Sequence, residues 1–66
     1  MSSKRISPTE AAALWFSESG QPINPVTLAN RARRGELPAE TIGGRTAFEH
    51  DAIVQAARAE KSRRAG

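Results

Sequence analysis

The chain contains no cysteine, which excludes disulfides and cysteine-based zinc sites as sources of stability. Its single histidine, His50, makes no metal site without a carboxylate cluster around it. No apolar run approaches the roughly 18 residues of a transmembrane span. Met1-Ser2-Ser3-Lys4-Arg5 leads into no apolar stretch of the secretory kind. Large apolar residues are also scarce. Twelve of the apolar residues are alanine; apart from Met1, the rest are two Val, four Ile, three Leu, two Phe and one Trp. These absences predict a soluble, cytoplasmic protein with no membrane partner. Its 66 residues make one small domain. A core of this size is marginal, so partners are the expected extra source of stability. A chain this short rarely forms a pocket on the order of several hundred cubic ångströms. No nucleophile–base constellation stands out, so no enzyme, cofactor or metal is expected.

The net charge is +3, and its distribution says more than its size. Residues 6–60 carry five arginines against seven acids, a net of −2. Lys4 and Arg5 at one end and Lys61, Arg63 and Arg64 at the other supply +5. Within the body, residues 31–45 hold four arginines and two glutamates. A clustered basic stretch reads as a footprint for an anionic polymer; the plainer reading is a solubilising surface. The expected organisation is a flexible basic tail over 1–5, a folded domain over 6–60 and a basic tail over 61–66.

Ser7-Pro8-Thr9-Glu10 is a strong helix start, with a capping serine, proline at the first helical position and a capping-box glutamate. Ile6 stands where a hydrophobic staple would begin. This helix runs through Leu14-Trp15-Phe16 and stops near Glu18-Ser19-Gly20. Trp15 and Phe16 point about 100° apart on a helix. Both are assigned to the core, the alternative being one exposed ring that meets a partner. Asn24-Pro25 repeats the start signal for a second helix ending at Arg34, with Gly35 in the left-handed position. Leu28 and Ala32 form its buried face, and Thr27, Asn30, Arg31 and Arg34 fall along another. Glu36-Leu37-Pro38 turns the chain and tucks Leu37 inward. Thr41-Ile42 and Thr46-Ala47-Phe48 flank Gly43-Gly44, which suits a tight hairpin. Ile42 and Phe48 are expected to face the core, with Arg45 at the tip. A last helix is expected over about 50–62, with Ile53, Ala56 and Ala57 buried and fraying from Ser62 onward.

The fold class that follows is mainly α with a small β-hairpin: helix, turn, helix, hairpin wing, helix, a winged helix-turn-helix. In such folds the second helix enters the major groove. Residues Ile6-Ser7-Pro8-Thr9-Glu10-Ala11-Ala12, Thr27-Leu28, Arg33-Arg34-Gly35-Glu36-Leu37-Pro38-Ala39, Ile42-Gly43-Gly44-Arg45 and Phe48 carry a resemblance. They resemble the excisionase branch of the MerR-like winged-helix family over about residues 6–58. The family's usual short turn between the first two helices is about half a dozen residues longer here. Its closing helix commonly carries a large aromatic or leucine, where this one is mostly alanine. The resemblance implies a small DNA-binding architectural protein in the cytoplasm of a bacterial host. Such proteins bind side by side near an attachment site, bend the DNA and direct an integrase toward excision. Without the dimerising helix and effector domain of larger relatives, a ligand-sensing activator is not expected.

Arg31 and Arg34 are the first choice for the major groove, by bidentate contact with guanine or by contact with phosphate. Thr27 and Asn30 lie on the same face as candidate DNA contacts. Arg33 points partly away, toward phosphate or a neighbouring protein. Gly44 and Arg45 form the wing site, against or within the minor groove. Ser7 and Thr9, at the amide-rich start of the first helix, are candidates for a phosphate contact. Four or five phosphate contacts would give a salt slope on the order of −4, so a lone monomer binds weakly. Double-stranded DNA, neighbouring copies and an integrase are the expected partners. Glu10, Glu18 or Glu60 of one copy would meet Arg33, Arg58 or the basic tail of the next, head to tail. Two other readings stand beside this one. The chain is a small transcriptional regulator without an effector domain, or it is a protein-interaction module that uses Trp15 or Phe16 and the last helix.

Overall fold

The computed structural model describes the backbone of residues 4–65 and the side chains of residues 4–63. Met1–Ser3 and Gly66 of the expected tails, and the side chain of Arg64, lie outside the described residues. The element order is β1 (Arg5–Ile6), α1 (Pro8–Ser19), α2 (Pro25–Arg33), β2 (Ala39–Ile42), β3 (Arg45–Glu49) and α3 (His50–Ala65). The domain is therefore mostly helical, with a small antiparallel sheet of strand order β1-β3-β2. No helix among the described residues is long and apolar enough to cross a membrane.

Local chemistry explains where the first two helices begin and end. Ser7 has extended backbone, and its hydroxyl accepts the Glu10 N–H at 3.2 Å. The Glu10 carboxylate accepts the Ser7 N–H at 3.5 Å, which completes the capping box. At the other end Gly20 takes φ 75° and donates its N–H to the Phe16 carbonyl at 2.8 Å. α1 thus ends at Ser19, within the expected stop near Glu18-Ser19-Gly20, and residues 20–24 connect it to α2. The buried Ser19 hydroxyl stitches this turn together. It donates to the Trp15 carbonyl at 2.7 Å and accepts the Gln21 N–H at 3.2 Å. The Asn24 side chain then accepts the Val26 N–H at 2.8 Å, and Pro25 opens α2. α2 closes in a Schellman motif: Gly35 donates to Ala32 at 3.1 Å and Glu36 to Arg31 at 2.9 Å. That closure drops Leu37 into the core.

The hairpin turns through Gly43 (φ 56°) and Gly44 (φ 77°). Two successive left-handed residues make the type I′ turn, whose twist matches that of the flanking strands. The register follows: Ile42 pairs with Arg45, Thr41 with Thr46, Glu40 with Ala47 and Ala39 with Phe48. Phe48 lies three positions beyond Arg45, and an odd separation places the two on opposite faces. The expectation that Ile42 and Phe48 share the core face is therefore corrected. Phe48 is fully buried, while Ile42 is 53% exposed beside Arg45 at the end of the hairpin.

The expected tails are corrected at both ends. Arg5 pairs with Glu49 and Ile6 with Phe48, forming a third strand on the free edge of β3. His50 extends this ladder by donating its N–H to the Lys4 carbonyl at 2.7 Å. A two-residue strand carries no readable alternation, so only pairing against β3 reveals it. α3 continues past Ser62 to Ala65, so Lys61 and Arg63 stand on a helix rather than in a tail.

The core comprises Ile6, Ala11, Ala12, Trp15, Leu28, Leu37, Phe48, Ile53 and Ala57. α1 packs on both α2 and α3, and the sheet closes one side through Ile6 and Phe48. Alanines at the α1 and α3 contact make the core small without making it empty, because short side chains let backbones approach. Phe16 does not join it. Trp15 is buried and Phe16 is 55% exposed, the outcome of their 100° separation around a helix with one neighbour-covered side.

Candidate nucleic-acid interface

α2 has one fully buried residue, Leu28, and this sets the direction of every other side chain. At about 100° per residue, Ala32 lies about 40° from Leu28 and Arg31 about 60° on the other flank. Val26, Asn30 and Arg33 lie on the far side, with Thr27 and Arg34 at its edge. The structure agrees: Asn30, Arg33 and Arg34 line one open surface groove, and Thr27 is exposed beside it. Arg33 closes the last turn of α2 and Arg34 is its C-cap residue, where their charge complements the negative helix end.

Arg31 is separated from this group. Its guanidinium sits over the Trp15 ring, 5.4 Å from the centroid. There it joins a cleft lined by Glu36, Leu37, Ala56, Glu60 and Arg63, on the α3 side of the helix. The expected stripe of Thr27, Asn30, Arg31 and Arg34 is thus divided: Arg31 lines the cleft toward α3, and Arg33 lines the groove with Asn30 and Arg34. Spacing of three and four residues selects a stripe but does not say which stripe is buried. The position of Arg31, three residues after Leu28 and one before Ala32, carries that signal.

The hairpin lies against the Ala32 flank of α2, and Arg33 borders both this flank and the open groove. Ala29, Ala32 and Arg33 face Ala39, Thr41 and Thr46 across a cleft of about 90 Å³. Thr41 and Thr46 form a cross-strand pair, so two hydroxyls line the space between helix and hairpin. Neither stands out in the sequence as a site residue, although the two-residue turn at Gly43-Gly44 already implies their pairing. Gly44 and Arg45 are exposed at the hairpin end.

Ion pairing separates the arginines further. Arg5 bonds Glu40 at 2.9 Å, Arg34 bonds Glu36 at 3.1 Å, Arg58 bonds Glu18 at 3.0 Å and Arg63 bonds Glu60 at 2.9 Å. Arg31 stacks on Trp15. Among the arginines with described side chains, only Arg33 and Arg45 have no hydrogen-bond, ion-pair or ring partner among the described residues. Glu18 and Glu60, expected to reach a neighbouring copy, are engaged within their own chain. At the start of α1 the Ser7 hydroxyl is committed to its cap. Thr9 is exposed there, but a phosphate at that end would face the Glu10 carboxylate.

The chain matches no protein-family model, no curated protein and no solved structure at a significant level.

Proposed function

We propose that the chain is a winged helix-turn-helix DNA-binding protein, with α2 as the major-groove helix and the β2–β3 hairpin as the wing. The observation that carries this reading is the pair of arginines, Arg33 and Arg45, without a partner among the described residues. Arg33 projects from the outward side of α2 and Arg45 from the hairpin end, while the other arginines with described side chains are held by contacts within the chain. A guanidinium offers five N–H donors in a planar fork that fits guanine edges and phosphate. Asn30 and Arg34 beside Arg33 supply further donors on the same groove. The major groove admits one helix, and its walls are phosphate, so such a face binds by charge and reads by its polar tips. Arg45, carried on a turn of two glycines that permits close backbone approach, suits the narrow minor groove.

The biological role in this proposal is that of an excisionase-type architectural protein. It loads several copies side by side near an attachment site, bends the DNA and directs an integrase toward excision, in the cytoplasm of a bacterial host. The residue resemblance supports that role. A body of net charge −2 supports cooperative loading, since few phosphate contacts make a lone copy weak.

A gel-shift titration tests both levels. The DNA is about 150 base pairs, one persistence length, from the chain's own genomic neighbourhood, against unrelated DNA of equal length. Several shifted bands that fill steeply on the neighbourhood fragment are expected. A single specific band would replace the excisionase role with that of a transcriptional regulator. No shift on either DNA at low salt would overturn DNA binding and leave a protein-interaction module.

A further inference from the structure

The described residues expose three large apolar side chains, Phe16, Val26 and Ile42, and Val26 is the most exposed at 64%. Nothing in the fold accounts for it. It lies in the first turn of α2, opposite Leu28, and contributes nothing to the core. Valine is also a poorer helix former than alanine, so its presence costs helix stability without a packing return. Val26, Asn30 and Arg33 stand at positions i, i+4 and i+7, which makes one continuous row along the outward side of α2. From Val26 to Arg33 the row rises by seven steps, about 10 Å at about 1.5 Å per residue, or about three base-pair steps.

We propose that Val26 reads the C5-methyl group of a thymine in the major groove, at the opposite end of this row from Arg33. The inference rests on the DNA-binding reading above and names the base chemistry that its groove-facing helix selects. The thymine methyl is the one apolar group that base edges display in the major groove. In helix-turn-helix docking the N-terminal residues of the recognition helix reach those edges, which is where Val26 stands. Its β-branched side chain holds essentially one χ1 rotamer in a helix, so its two methyls are already fixed before DNA arrives. Asn30, next in the row, suits adenine, and Arg33 suits guanine. The row therefore prefers a short element with thymine at one end and guanine at the other.

The test begins with duplexes that the wild-type protein selects from a random-sequence pool. The enriched duplex is then remade with deoxyuridine replacing thymine, one position at a time. Affinities are measured by fluorescence anisotropy for the wild type and for Val26→Ala, whose unchanged cooperative melting confirms an intact fold. The expected result is one thymine at which deoxyuridine weakens the wild type about fourfold, the effect of one buried methyl group. Val26→Ala binds the thymine duplex several-fold more weakly and does not distinguish thymine from deoxyuridine at that position. Three outcomes overturn the inference: no sensitive thymine, an undiminished deoxyuridine penalty in Val26→Ala, or salt-dependent binding without sequence enrichment. All three leave DNA binding standing. Absence of any DNA binding by the wild type overturns both readings together.

Discussion

α1 and α2 begin in the same way and serve opposite ends. Each opens with a polar cap and a proline at its first position, and each closes on a turn containing a left-handed glycine. α1 then buries Ala11, Ala12, Trp15 and Ser19, whereas α2 buries Leu28 alone. Start and stop signals are local backbone chemistry and carry no information about burial. What separates the two helices is how many apolar residues recur on one side. α1 has enough to make a core wall; α2 has enough for one anchor and leaves the rest of its surface for solvent or a ligand.

The largest effects should come from the anchors. Trp15→Ala removes most of the buried surface of α1 and should cost about 3–5 kcal/mol. Leu28→Ala removes the only full anchor of α2 and should cost about 2–5 kcal/mol. A 66-residue domain has roughly 3–10 kcal/mol in total, so thermal melting should show both variants largely destabilised. The transition should remain single. A Leu28→Ala protein that melts in two steps would mean that α2 is an independent unit rather than part of one core.

The two arginines flanking Ala32 sharpen the comparison. Arg33→Ala should weaken DNA binding by about 1–3 kcal/mol if the guanidinium meets a guanine, with melting unchanged. Arg31→Ala should do the reverse. It loses a stack on Trp15 worth about 0.5–1 kcal/mol of stability and leaves DNA affinity near wild type. Equal losses of affinity in the two variants would erase the inward and outward sides assigned to α2.

The smallest effects concern the caps. Ser7→Ala and Asn24→Ala should each cost about 1 kcal/mol in denaturant unfolding, because each removes an acceptor for an end N–H. Hydrogen exchange should distinguish them. Fraying should be wider in α2 after Asn24→Ala, since one core residue holds that helix and several hold α1.

Much of the fold is legible in the residues. The two capped helices, the hairpin at Gly43-Gly44 and the burial of Leu28, Leu37, Phe48 and Ile53 follow from local rules. The departures share a cause. Apolarity alone directs Ile42 inward, although a two-residue turn puts it opposite in parity to Phe48. Three-residue spacing groups Arg31 with Arg34, although Leu28 lies on its other side. A shortage of large residues draws Phe16 into the expected core, although Trp15 already holds the covered side of the helix. In each case composition outweighs geometry that the register or the helix period already contains.

The amino-acid order by itself determined the boundaries of α1 and α2, because caps, prolines and glycines act on their own backbone within a few residues. It also determined the hairpin register, through the length of the turn. Only the tertiary structure decided that Arg5 and Ile6 join a sheet, that Glu18 is held by Arg58, and that Arg33 and Arg45 are left without partners among the described residues. The Arg5–Glu40 and Arg58–Glu18 pairs join residues 35 and 40 positions apart, and Ile6 meets Phe48 across most of the chain. Such pairings depend on how the elements pack, which no local pattern encodes.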